Sequence, residues 1–337
     1  MSVLSMPPIS APLGAPFAAL LMALLAAGCN GGRPPVVETG HVDAAHPLMQ
    51  PRLRDEESFA ETWSAMAVLD DGGYVQAQLG VSNVGPGSER GICRLLYAPQ
   101  GQTPWTANAK VDREAWRVSP EGALIIGTCQ GEVSDRALRL SGTVGEAQFS
   151  LTLAERPGRI EPPGHHIELD DDFYTSTLLI PWAPAKVSLT LPSGATVEAT
   201  GRGYADHSRA TALPGDLARQ WVRVRRLTPG QGMLALLRYP ADAEQPPEGW
   251  IWREGEDKPR AITESGLDSL GPINADRAWR LRLGQDPSTD AGSLIYRAAP
   301  VEDQGMLAPF IEAVIGNPVT YTYAVPGGVM EVTIVDE

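Results

Sequence analysis

The sequence predicts an all-β chain built as two antiparallel barrel or sandwich domains with few short helices. Three observations carry that expectation. Short runs of alternating apolar and polar residues recur from residue 59 onward, bounded by Gly, Pro, Asp and Ser. Breakers are dense, with 35 glycines and 30 prolines among 337 residues, which leaves little room for long helices. The second half also opens with a pattern that repeats the first.

The elements follow in order. Residues 63–69 read as a strand, Asp70, Asp71, Gly72 and Gly73 as a turn, and residues 74–79 as a second, alternating strand, which together make a hairpin. Further strands are expected at 90–98, 114–119, 122–130, 136–142 and 146–155. A Pro/Gly-rich crossing at 157–164 leads to strands at 173–181, 185–191 and 195–201. Pro214 and Gly215 mark a loop with room for one helical turn. The second half then starts at Trp221. Aligned without a gap, Trp63 meets Trp221, Leu69 meets Leu227, Gly72 meets Gly230, Ala77 meets Ala235 and Leu79 meets Leu237. A second echo relates Trp116 to Trp279, which points to a duplicated β unit. Residues 306–315 have helical spacing and are stopped by Gly316, Asn317 and Pro318. Closing strands are expected at 319–325 and 329–335, turned by Pro326, Gly327 and Gly328.

The N-terminus reads as a targeting segment. The first 28 residues are uncharged, and the apolar run 17–27 is too short to span a bilayer, which takes about 20 residues. Ala26, Ala27 and Gly28 precede Cys29, an arrangement that resembles the bacterial lipobox. That resemblance implies lipidation of Cys29, and Asn30 after it implies an outer-membrane lipoprotein facing the periplasm. Residues 1–28 are then a signal peptide and 29–54 a tether holding His41 and His46. Cys93 and Cys129 remain, either as a disulfide or as two buried thiols; an oxidising compartment favours the bond and geometry decides it. A net charge of −14 argues against nucleic-acid partners and against docking on anionic lipid by charge.

Residues 201–209, Gly-Arg-Gly-Tyr-Ala-Asp-His-Ser-Arg, concentrate more chemistry than any other stretch. Asp206 or Tyr204 beside His207 could fix its tautomer and make it a general acid, provided the glycines let the chain turn; otherwise neighbours on a strand face opposite ways. The structural alternative has Asp206 capping backbone donors and His207 bonding across the joint. Arg223 and Arg225 share a strand face with Trp221, and with Arg209 they could hold a carboxylate or phosphate head group, or simply pair with Asp206, Asp216 or Glu61. Glu61 shares a face with Trp63, and both tryptophans, Trp63 and Trp221, read first as barrel-floor residues. His165 and His166 near Asp170, Asp171 and Asp172 do not make a persuasive metal site, and no motif for a metal, dinucleotide or phosphate cofactor appears.

The motif carried by Gly203, Tyr204, Asp206 and His207, ahead of a Trp-led strand, resembles the carotenoid 1,2-hydratase (hydroxyneurosporene synthase) family, which includes AttH-like proteins and fungal pericyclases. In that family the motif continues Asn-Trp-Gly; here Ser208, Arg209 and Ala210 stand in those places. The resemblance implies two lipocalin-like domains, 55–214 and 215–337, with a cleft between them. It implies His207 as a proton donor, assisted by Asp206 and Tyr204, in a hydro-lyase or isomerase acting on an isoprenoid or polyketide alkene. Because a guanidinium replaces the aromatic wall, the first expectation is instead an envelope lipoprotein. It would bind an apolar or amphiphilic molecule near Glu61, Trp63, Arg209, Trp221, Arg223 and Arg225. A ligand-free envelope scaffold is the third.

Overall fold

Hydrogen bonding between successive strands gathers residues 60–210 into one strongly curved sheet. The computed structural model describes residues 47–84, 88–262, 265–269, 279–283, 288–299 and 318–335. The strands are β1 (Ala60–Leu69), β2 (Tyr74–Ser82), β3 (Arg90–Ala98), β4 (Trp105–Val111), β5 (Trp116–Val118) and β6 (Leu124–Ile126), then β7 (Cys129–Val133), β8 (Leu138–Val144), β9 (Ala147–Leu153), β10 (His166–Leu169), β11 (Asp172–Thr190) and β12 (Thr196–Ala210). The sheet runs β4-β3-β2-β1-β12-β11-β9-β8-β7-β6-β5, with β10 beside β11. It curls into a nearly closed antiparallel barrel. Cys93 of β3 and Cys129 of β7 are joined as a disulfide across the fold, with 6.4 Å between their Cα atoms. The Trp116 indole donates to the Glu89 carbonyl at 2.6 Å. Odd-numbered residues of β1 to β3, among them Trp63, Ala65, Leu79 and Leu95, fill the barrel together with Met49, Leu124 and Leu140. Gly131 admits Met49, since a Cβ there would lie 2.3 Å from its Cε.

Two expectations shift here. The strands expected at 173–181 and 185–191 form one 19-residue strand, with register breaks between Leu178 and Ala183 that accommodate Pro181, while Pro184 pairs in register with Arg202. The strand expected at 195–201 continues to Ala210, so the 201–209 stretch is not a turn. It pairs with β1 and β11 on its two sides. A chain with partners along both edges has every reason to remain extended, glycines or not. The strands β4 and β10 were not expected from the pattern.

Past a helical turn at Pro214–Leu217 come β13 (Gln220–Arg226), β14 (Met233–Tyr239), β15 (Glu248–Arg253) and β16 (Arg260–Ile262). A small sheet of β17 (Ser265–Ser269), β18 (Trp279–Leu283) and β19 (Thr289–Asp290) follows. The chain closes with β20 (Leu294–Ala298), β21 (Val319–Val325) and β22 (Gly328–Ile334). The second large sheet runs β16-β15-β14-β13-β22-β21-β20, and its core contains Val222, Val224, Ile251, Tyr323, Met330 and Val332. The helix expected at 306–315, Cys29, the signal segment and His41 and His46 lie outside the described residues, and among the described residues no helix is long and apolar enough to cross a membrane.

The apparent repeat hides a one-residue slip. Trp63 pairs with Leu79, but Trp221 pairs with Arg238 instead of Leu237. A slip of one reverses the face of every side chain. Trp63 accordingly lies inside the first barrel, whereas Trp221 points into the layer between the two sheets and is not a barrel-floor residue. All described residues fall within one compact unit, Ala44–Glu337. The outer faces of the two large sheets meet in an apolar layer with Met66, Tyr74 and Tyr204 on one side and Trp221, Leu234 and Trp252 on the other. Trp182 and Trp252 meet edge to face at 4.9 Å, and Arg202 pairs with Glu254 at 2.9 Å.

Candidate functional site

Beside that apolar layer the same two faces turn polar and part, leaving a cavity of about 260 Å³. Strand alternation supplies its walls. On the first sheet, Thr62 and Ser64 of β1 stand opposite Ser208 and Asp206 of β12. Gln76 and Gln78 of β2 and Arg94 of β3 extend this wall, with Tyr174 and Ser176 of β11 on the other flank. On the second sheet, Arg223 and Arg225 of β13, Glu331 of β22, Thr320 and Thr322 of β21 and Tyr296 of β20 face them. The lining is predominantly polar, not the apolar lining anticipated. An adjoining void beside Tyr204, Leu234, Leu236 and Trp250 is only about 10 Å³, barely a water's space. A larger depression of about 460 Å³ beside Leu48, Val133 and Arg156 is open and far poorer in polar side chains.

The charges in the cavity are ordered. Arg225 donates to the Glu331 carboxylate at 2.6 Å, contacts Asp206 Oδ2 at 3.5 Å, and lies over the Tyr204 ring at 4.8 Å. The Tyr204 hydroxyl donates to Asp206 Oδ2 at 2.8 Å. Burial and the neighbouring Asp206 charge push the Tyr204 pKa well above its ordinary value, so the phenol stays protonated and remains a donor. Burial works against ionisation of Glu331, but Arg225 and Arg223 outweigh it and hold its carboxyl below the ordinary value. Arg225 likewise stays charged: burial opposes this, and Glu331, Tyr204 and Asp206 more than compensate. Arg94 and Arg223 are different. Arg94 donates to the Tyr296 hydroxyl at 3.3 Å and Arg223 to the Tyr174 hydroxyl at 3.3 Å. Among the described residues neither has a carboxylate within ion-pair distance.

Asp206 and His207 do not converge. His207 faces the other side of β12, where its Nε2 lies 2.8 Å from Glu61 Oε1 and its ring stacks on Trp63 at 4.7 Å. Glu61 is 1% exposed, accepts the Arg52 backbone N–H at 2.7 Å, and has Arg209 Nε at 3.6 Å. Arg209 also donates to the Arg52 carbonyl at 3.0 Å and lies over Phe173. Glu61, Trp63, His207 and Arg209 therefore pin the segment at 48–52 to the barrel, helped by the Trp63 indole donating to the Leu48 carbonyl at 2.6 Å. They do not line the cavity. Trp221 sits against Tyr174 with 5.4 Å between ring centroids. Of the residues singled out from the sequence, the structure brings Asp206, Arg223 and Arg225 to the cavity, with Tyr204 beside it. The expected clustering of Arg209 with Arg223 and Arg225 does not occur, because residues 206 and 208 share one face of β12 and residues 207 and 209 the other.

Sequence reading missed Arg94, Glu331, Tyr174 and Tyr296. The signal for Glu331 was a lone charge within the closing run Val-Met-Glu-Val-Thr-Ile; Arg94 stands similarly within Ile-Cys-Arg-Leu-Leu. His165 and His166 lie against Glu161 and Glu168, and among the described residues no three His, Cys, Asp or Glu side chains gather into a metal-binding group.

No family model matches the chain, and no curated protein matches it. Solved structures do. An AttH-assigned protein of Nitrosomonas europaea superposes with a TM-score of 0.63 at 11% identity, covering 90% of this chain and all (100%) of that one. Kievitone hydratase from Nectria haematococca gives 0.52 at 11% identity, covering 82% of this chain and 89% of its own. CghA gives 0.51 at 14% identity, covering 83% and 89%. The chain therefore has the AttH-like fold shared with these proteins.

Proposed function

We propose that this protein binds a small polar molecule in the cavity between its two large sheets. The observation that carries the reading is the cavity itself: about 260 Å³ walled by hydroxyls, amides and charged groups within an otherwise apolar interface. An apolar or amphiphilic ligand was the expectation from sequence. Such a ligand would strip water from these groups without replacing their hydrogen bonds, at a cost of about 1–3 kcal/mol for each group left unpaired. The volume is near the low end of small-molecule sites, which start at roughly 300 Å³. The test is retention of small molecules from an envelope extract, read by native mass spectrometry, with Ser64→Trp as the cavity-filling variant. Loss of the bound species in Ser64→Trp supports the reading; undiminished retention defeats it.

A second reading is supported by the fold shared with kievitone hydratase and CghA: an enzyme of hydratase or cyclase type. In this reading the acid–base group facing the cavity is Asp206, positioned by Tyr204 and Arg225, and His207 supports the wall from behind. Turnover that survives Asp206→Asn would exclude it. We also propose that the chain is carried on a lipid at Cys29 in the bacterial envelope. The uncharged leader and the Cys93–Cys129 disulfide, a bond favoured outside the cytosol, support this. Mass spectrometry of the mature N-terminus should find a diacylglyceryl cysteine that is absent from Cys29→Ala.

A further inference from the structure

We infer that the cavity is an oxyanion-recognition site, in which Arg94 and Arg223 clamp the carboxylate or phosphate group of a small hydroxylated acid. This rests on the reading of the cavity as a ligand site and names the class of ligand. The two guanidiniums come from opposite walls, Arg94 from β3 of the first sheet and Arg223 from β13 of the second. Each is held across the gap by a tyrosine of the other sheet: Arg94 by Tyr296 of β20, Arg223 by Tyr174 of β11. A phenol oxygen positions a guanidinium without neutralising it, so the remaining N–H donors keep their charge for a ligand.

The charge pattern favours an anionic partner. Arg225 is already committed to both acids of the cavity, Glu331 and Asp206. With Arg94 and Arg223 added, three cations face two anions, and the lining is positive in a chain whose net charge is −14. Glu331 and Asp206 offset only part of this charge, and an anion bound between Arg94 and Arg223 would balance the cation in excess. The remaining walls fit the rest of such a molecule. Ser64, Gln76 and Gln78 on one side and Thr320 and Thr322 on the other offer donors and acceptors suited to hydroxyl groups. The volume, about 260 Å³, suits a single sugar-sized acid rather than a lipid or a polymer.

The test uses isothermal titration calorimetry on the mature full-length chain with four probes: glucuronate, glucose 6-phosphate, inorganic phosphate, and methyl glucoside as the neutral control. The expected result is binding of at least one anionic probe, weakened about ten- to a hundredfold by Arg94→Gln and by Arg223→Gln. The neutral control should bind at least about tenfold more weakly. Which anionic probe binds best separates carboxylate from phosphate ester. The ligand-free Arg→Gln variants should lose less stability than Arg225→Met, because Arg94 and Arg223 act on Glu331 from beyond ion-pair distance whereas Arg225 contacts it at 2.6 Å. Equal affinity for methyl glucoside, or Arg→Gln variants that bind as the parent does, would overturn the anion inference. The cavity reading would then stand if Ser64→Trp still abolished binding. Failure of every anionic probe at millimolar concentration would also overturn it. Binding that ignores Ser64→Trp would remove the cavity reading itself.

Discussion

Replacing Arg225 with methionine removes the cation that is ion-paired with both Glu331 and Asp206. The side chains of Arg225 and Glu331 are only 6% and 8% exposed, and their contact is 2.6 Å. Breaking such a buried pair typically costs about 3–5 kcal/mol, because the abandoned charge stays desolvated. Two features place Arg225→Met at the lower end, ~3 kcal/mol: Glu331 borders a polar cavity that water can enter, and Asp206 keeps the hydrogen bond from Tyr204. The double variant Arg225→Met/Glu331→Leu removes both charges and should recover to within ~1 kcal/mol of the parent, since apolar replacements of buried pairs are often neutral. Urea unfolding at pH 7 measures both, with an unchanged m-value showing that the surface exposed on unfolding is the same. A single variant within ~1 kcal/mol of the parent would refute the reasoning. So would a double variant no more stable than the single, because stranded charge would then not be the cause.

Further outcomes follow from the same structure. Glu331's carboxyl is held below its ordinary 4.5, so the unfolded chain takes up this proton at higher pH than the folded one; its contribution is present above pH 4.5 and lost as pH falls through the lowered folded value, and the acid limb of a stability–pH profile should flatten in Glu331→Gln. Gly201→Ala would set a Cβ 2.2 Å from the Val68 carbonyl oxygen and 2.8 Å from Leu69 Cα, backbone atoms that cannot step aside, so a loss at or above ~3 kcal/mol is expected in urea titrations. Replacing Cys93 and Cys129 with alanine opens a loop spanning 36 residues and should cost about 4 kcal/mol by chain entropy, read as the shift in unfolding midpoint. Met49→Ala empties a fully buried site in the first barrel and should cost about 2–5 kcal/mol, while leaving ligand binding in the cavity unchanged in calorimetry.

The sequence by itself determined the class of fold and many of its strands. Residues 74–79 alternate apolar and polar, residues 90–98 and 319–325 are short apolar-rich runs bounded by turn residues, and β2, β3 and β21 cover them. Tight turns at Gly72 and Gly327 were equally local, since both adopt the left-handed conformation that glycine tolerates. The candidate site was legible only in part. Tyr204, Asp206 and His207 could be named from their motif, but which way each points depends on whether the chain turns there, and that was settled by β1 and β11 pairing along both edges of β12. The same period of two separated Arg209 from Arg223 and Arg225, and a one-residue slip in the second hairpin turned Trp221 away from the role of Trp63. Arg94 and Tyr296, about two hundred residues apart, meet because two sheets pack face to face. Alternation along one strand fixes which residues share a face; which face then meets which is a property of the packed sheets, and the cavity exists only there.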